Sequence, residues 1–216
     1  INWTVYMWAV MNEHVLATSL GYYLNPLVNV LLARLFLRES LNRAQTAAVA
    51  VAAAGVVIML VQEPDAIWIS LTLALSFGAY GLVRKVAPVS AVPGLAVEVT
   101  LLAPLALLAL MSGLATPGGF GSSAETNLLL MGSGLVTAIP LLMFATAARR
   151  MSYTALGFVQ YMSPTIVFFL SIFLWNEPVN AARLACFALI WTAIAIFSVD
   201  AIHRARKPAI EPVPLD

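Results

Sequence analysis

The sequence predicts an all-α integral membrane protein assembled as an inverted repeat of helical bundles. Three observations lead there. The chain is 62% hydrophobic and only 10% charged, with a mean hydropathy of +0.93; a soluble domain is nearer half apolar and a quarter charged. A long motif occurs twice: Asn25-Pro26 is followed by Glu39 and Asn42, and Ser163-Pro164 by Glu177 and Asn180, all at an offset of 138. The basic residues fall almost wholly on alternate loops.

Crossing the hydrocarbon takes about 20 helical residues. Eight segments approach or reach that length: Ile1–Met11 (partial), Val15–Leu37, Ala44–Val61, Ile67–Val83, Pro93–Met111, Leu128–Ala148, Ala155–Trp175 and Ala182–Val199. Short polar breaks separate them, such as Asn12-Glu13-His14, the stretch Arg38 to Arg43, and Arg149-Arg150. Ser112 to Thr126 is longer and free of basic residues. The tail beyond 200 holds Pro208, Pro212 and Pro214 and is expected to be disordered.

Alternating loops place ten of the eleven Lys and Arg residues on one side and only Arg183 on the other. The positive-inside rule makes the first side cytoplasmic, with the C-terminus there. The Pro26 and Pro164 helices are then separated by an odd number of crossings and run in opposite directions. Ser19-Leu20-Gly21-Tyr22 also answers Ala155-Leu156-Gly157-Phe158 at an offset of 136. Inverted copies create a pseudo-two-fold axis in the membrane plane, on which a site can face either side in turn. Residue 1 corresponds to about 137 in the second copy, so two spans and part of a third are expected upstream of Ile1.

Net charge +1 gives no basis for a nucleic-acid partner, and the single Cys186 excludes a disulfide framework within one chain. His14 and His203 lie far apart. No cofactor or metal is implied. A Walker motif, a Gly-x-Ser-x-Gly elbow and a His-Glu-x-x-His pair are all lacking, which argues against an ATPase or a membrane enzyme. A membrane subunit without transport activity is the remaining alternative.

The polar residues inside spans carry the functional reading. Pro26 and Pro164 are expected to break their helices, freeing the carbonyls of Tyr22 and Gln160. Tyr22, Asn25 and Asn29 share a face with the first break; Gln160, Ser163 and Ser171 share one with the second. Matched breaks in inverted copies point to a binding site for a small organic molecule, with Tyr23 and Tyr161 as aromatic walls. The alternative is a kink whose polar groups bond between helices. Glu98 is the acidic residue well inside a span, open to two readings: a pair with Arg84 or Lys85, or a proton carrier. Glu39 beside Arg38 and Arg43 is read as a cap or loop ion pair. Small residues Ala74, Gly78 and Gly81, and Ala47, Ala48, Val51, Ala52 and Gly55, mark helix contact faces, usable within the chain or in a homodimer.

Asn2-Trp3, Trp8-Ala9-Val10, the run from Ser19 to Val28, Glu39, Tyr80-Gly81-Leu82-Val83-Arg84-Lys85, Leu156-Gly157-Phe158, Gln160-Tyr161 and Pro164 resemble the RarD proteins, in the EamA branch of the drug/metabolite transporter superfamily. The resemblance covers nearly the whole chain. It implies ten spans in two inverted five-helix copies. Residues 1–62 would be the last three spans of the first copy, 66–200 the five spans of the second, and 201–216 a cytoplasmic tail. It further implies transport of small organic molecules and places Trp3 near the cavity. With the C-terminus inside, a C-terminal fluorescent-protein fusion is expected to fluoresce and a C-terminal alkaline phosphatase fusion to be inactive.

Overall fold

The computed structural model describes residues 1–62, 64, 67–111, 120–173 and 181–206. Glu177 and Asn180 of the second motif, and the tail from 207, lie outside the described residues. Every regular element described is helical: α1 (Asn2–Met11), α2 (Val15–Phe36), α3 (Arg43–Gln62), α4 (Ile67–Val86), α5 (Ala91–Met111), α6 (Ala124–Arg150), α7 (Tyr153–Gln160), α8 (Met162–Phe173) and α9 (Ala181–Ala205). Six stretches among the described residues are long and apolar enough to cross a membrane: α3, α4, α5, α6, the α7–α8 run Tyr153–Leu170, and α9. That is fewer than the eight segments expected. α1 has ten residues and is too short alone. α2 has the length, at 22 residues, but Asn25, Asn29 and Arg34 interrupt its apolar run. α9 continues through Ala205, past the boundary at 200 expected from the sequence.

The chain packs as two compact units, residues 1–79 with 152–216, and residues 80–151. In the first, α2 lies against α7 and α3 against α9. Both pairs run antiparallel. The end of α2 leads to Glu39, which bonds the start of α7, while farther along α7 Gly157 meets α2 at Pro26 and Asn29. Likewise Asn42, at the start of α3, bonds Asp200 near the end of α9, and Gly55 meets Cys186 and Leu189.

Small residues permit this approach. Ala48, Ala52 and Gly55 are buried on α3, facing a layer of Cys186, Phe187, Ile190, Ala193 and Phe197 on α9. The face that the sequence left open between the chain itself and a second copy is thus used within the chain, although Ala47 is exposed. On α4, Ala74 and Gly78 are buried, and a Cβ at Gly78 would stand 2.8 Å from Val28 Cγ1. Tyr153, fully buried, donates its hydroxyl to the Gly78 carbonyl at 2.6 Å.

In the second unit, α5 packs against α6, and basic side chains close the helix ends. Lys85 Nζ donates to the carbonyls of Ala148 (3.0 Å) and Met151 (2.7 Å) at the end of α6. Arg149 Nη1 donates to the carbonyls of Ala87 and Val89, just past the end of α4. Each cation thus caps the other's helix, where carbonyls lack partners and the dipole is negative.

A methyl at Gly157 would lie 2.9 Å from the Pro26 carbonyl oxygen, a backbone atom that cannot swing away, whereas nothing lies within 4 Å at Gly132. Gly157→Ala is therefore expected to lower stability by about 1–3 kcal/mol, and Gly132→Ala to leave it unchanged or raise it slightly. The thermal midpoints of the two purified variants in detergent decide the point.

Candidate functional site

The α2–α7 contact is the core of the candidate site. α2 is one continuous helix with Pro26 inside it, so the break expected there does not occur. Pro26 is fully buried, and Gly157 packs against its backbone. The second copy differs: α7 ends at Gln160 and α8 starts at Met162. The interruption is Tyr161, not Pro164. The Tyr161 N–H bonds to Phe158 O at 3.2 Å, a tightened turn. Pro164 then sits in the first turn of α8, where its missing N–H costs little.

Three contacts fix the α2–α7 register: Glu39 with Tyr153, Gly157 with Pro26, and Gly157 with Asn29. Antiparallel travel from there carries Gln160 and Tyr161 toward Asn25. These residues share one property. Asn25 Oδ1, both amide atoms of Asn29 and of Gln160, Thr154 Oγ1 and the Tyr161 hydroxyl are buried polar atoms with no hydrogen-bond partner. Asn29 and Tyr161 have no exposed surface, and Asn25 only 7%. An unpaired buried polar group costs on the order of 1–3 kcal/mol, and water is scarce in the hydrocarbon. Such a set calls for a guest, water or ligand, that pairs with it. Aromatic rings stand beside it. Phe158 meets Tyr161 edge-on at 6.1 Å and stacks on Phe197 at 4.1 Å, and Tyr23 meets Phe187 edge-on at 5.5 Å.

The other candidates are exposed, outside the described residues, or in the second unit. Tyr22 is 46% exposed and Trp3 67%; Trp3 stacks on Tyr6 at 5.8 Å, in the neighbouring helix α1. Ser163 is exposed, so it does not share the inner face with Gln160. The Ser171 side chain lies outside the described residues. Glu98 belongs to the other unit. Its Oε1 is 3.4 Å from Arg84 Nη1, and Tyr80 donates to its Oε2 at 3.4 Å. Arg84 is buried and also donates to Ala91 O at 2.7 Å. The ion pair is thus the arrangement observed, on the Arg84 side of the two readings.

Glu39 is a cap. Arg38 adopts a left-handed conformation with φ of 55°, which closes α2 and aims Glu39 at α7. The carboxylate accepts from the N–H of Tyr153 at 2.7 Å and of Thr154 at 3.1 Å. Ser152 Oγ accepts from Ala155 at 3.2 Å, and Leu156 bonds Ser152 O. The amides of Tyr153, Thr154 and Ala155, which the helix start leaves open, are all satisfied. A cavity of about 340 Å³ opens here, lined by Glu39, Gln45, Thr154, Phe197 and Arg204 among others. Asn42 and Gln45 form a reciprocal capping box, at 3.2 and 2.8 Å. Asn42 Nδ2 also donates to both oxygens of Asp200, at 2.8 and 2.9 Å. The spacing Asn42-x-x-Gln45 was a readable signal for that box; nothing local pointed to Asp200 or Thr154.

Several apolar spans, helices packed through small residues and a polar cluster buried between two of them define a polytopic membrane protein. Comparison with known proteins adds the lineage. An uncharacterized transporter of Pseudomonas aeruginosa is 47% identical over 209 residues, covering 95% of this chain and 70% of that protein. The protein RarD of Salmonella typhi is 45% identical over 208 residues, covering 95% and 71%. The uncharacterized transporter YojE of Bacillus subtilis is 43% identical over 207 residues, covering 95% and 69%. No protein-family model matches the chain. The chain belongs to the RarD family and is a membrane transporter.

Glu39→Ala removes both acceptors at the start of α7 and is expected to cost about 1–2 kcal/mol. Glu39→Gln, which keeps one acceptor, is expected to lose roughly half as much. The unfolding midpoints should rank wild type above Gln above Ala; equal midpoints would sink the capping role.

Proposed function

We propose that the chain is a secondary transporter that carries a small organic molecule across the bacterial inner membrane by alternating access of two inverted repeats. Residues 1–62 belong to the first repeat and 66–200 to the second, and the C-terminus is cytoplasmic. The substrate binds between α2 and α7, at Asn25, Asn29, Gln160 and Tyr161. Trp3 and Tyr22 form an outer aromatic lining, and Ser163 and Pro164 flank the interruption in the second copy.

The observation that carries this reading is the buried set of unpartnered polar atoms on facing helices of the two copies. Two further facts support it. α2 and α3 begin at Val15 and Arg43, and α7 and α9 begin at Tyr153 and Ala181, the motif's own offset of 138. The equivalent helices also pack on each other in opposite directions, as a two-fold axis in the membrane plane demands. A subunit without transport activity gains nothing from polar groups left unpaired in lipid.

The test is a thermal-shift screen of the protein in liposomes against amino acids, nucleosides, polyamines and chloramphenicol-like compounds, followed by uptake of each hit. Asn25→Leu and Gln160→Leu are each expected to weaken the hit's binding by about 5- to 30-fold, the loss of 1–2 kcal/mol of ligand hydrogen bonding. Ser163→Leu, at an exposed position, is expected to leave it within about twofold. Hits indifferent to Asn25 and Gln160 would move the site elsewhere.

A further inference from the structure

We infer that the site between α2 and α7 recognises an uncharged molecule through an amide-like edge, a hydrogen-bond donor and acceptor side by side as in a carboxamide, ureide or nucleobase. This rests on the reading of that site as the binding site. The unpartnered atoms state the requirement. Asn29 and Gln160 each present a donor and an acceptor, Asn25 adds an acceptor, and the Tyr161 hydroxyl serves as either. A carboxylate guest would satisfy the donors and leave Asn25 Oδ1 and Asn29 Oδ1 unpaired. An ammonium guest would do the reverse. An amide edge pairs with both atoms of a facing amide at once.

Charge argues the same way. No Asp, Glu, Lys, Arg or His occurs in residues 15–33, 44–62, 67–79, 153–173 or 184–199, and the charges of α9, Arg183, Asp200, His203 and Arg204, stand towards its two ends. A guest ion would enter without a counter-charge in these segments, and burying an unpaired ion is far costlier than burying a hydrogen-bonded neutral group. The neighbouring aromatic rings of Phe158, Tyr161 and Phe197 favour a flat guest, which can lie against ring faces.

Three probes of one shape separate the classes: nicotinamide (neutral amide), nicotinate (anion) and 3-(aminomethyl)pyridine (cation at pH 7), with uracil as a nucleobase edge. Equilibrium dialysis against the protein in liposomes measures retention of each. Nicotinamide or uracil is expected to be held about 10-fold or more tightly than the two ions, and to be lost in Gln160→Leu and Asn25→Leu. Gln160→Glu is expected to shift preference toward the cation, a change that mere loss of folding cannot produce; elution profiles of the variants check folding separately. Retention of an ion that disappears in both leucine variants would overturn the neutral class while keeping the site. Retention indifferent to both variants would overturn the site itself. If no probe is retained, recognition through an amide edge is overturned, and the uptake assay judges the transport reading independently.

Discussion

The close approach of α7 to α2 is the contact on which the rest of the first unit depends. Gly157 lets α7 settle against the Pro26 carbonyl and the Asn29 side chain, and no larger residue would fit there without shifting backbone. This approach buries Asn29 between Gly157 on one side and Gly78 on the other. It brings Tyr153 close enough to bond Gly78 O and sets α7's start beneath Glu39. In hydrocarbon there is no hydrophobic gain from helix association, so such fit supplies the attraction. The polar atoms of Asn25, Asn29 and Gln160 are left unpaired at this contact.

Helix ends show the opposite behaviour. Glu39 and Ser152 complete the start of α7, Asn42 and Gln45 the start of α3, and Lys85 the end of α6. Glu39 and Lys85 reach partners 114 and 63 residues away in sequence, so these two caps also fasten distant segments.

The membrane class was legible in composition alone. Asn25 and Asn29 on one helix and Gln160 on another stood out in the sequence as polar residues inside apolar spans, and all three carry buried unpartnered atoms. Other features were not legible. Proline chemistry predicts a lost hydrogen bond but not whether the helix parts, since that depends on what packs around it: α2 stays whole at Pro26, and the second copy parts at Tyr161 instead. Ser163, placed inward by periodicity, turns outward because the interruption resets the face after Gln160. Thr154 and Asp200 were missed because their significance arises from distant segments, which no local pattern records.

The unlike treatment of the two prolines has a consequence for the energy landscape. Identical copies would make the inward-facing and outward-facing arrangements mirror images of equal energy, each half occupied at rest. Here residues 15–36 form an unbroken helix and the stretch Tyr153–Phe173 is interrupted at Tyr161, so in the proposed cycle the two arrangements would differ in free energy. A gap of 1.4 kcal/mol already sets a tenfold bias. The parted helix therefore gives the proposed cycle a resting orientation, written into the chain before any substrate or gradient acts on it.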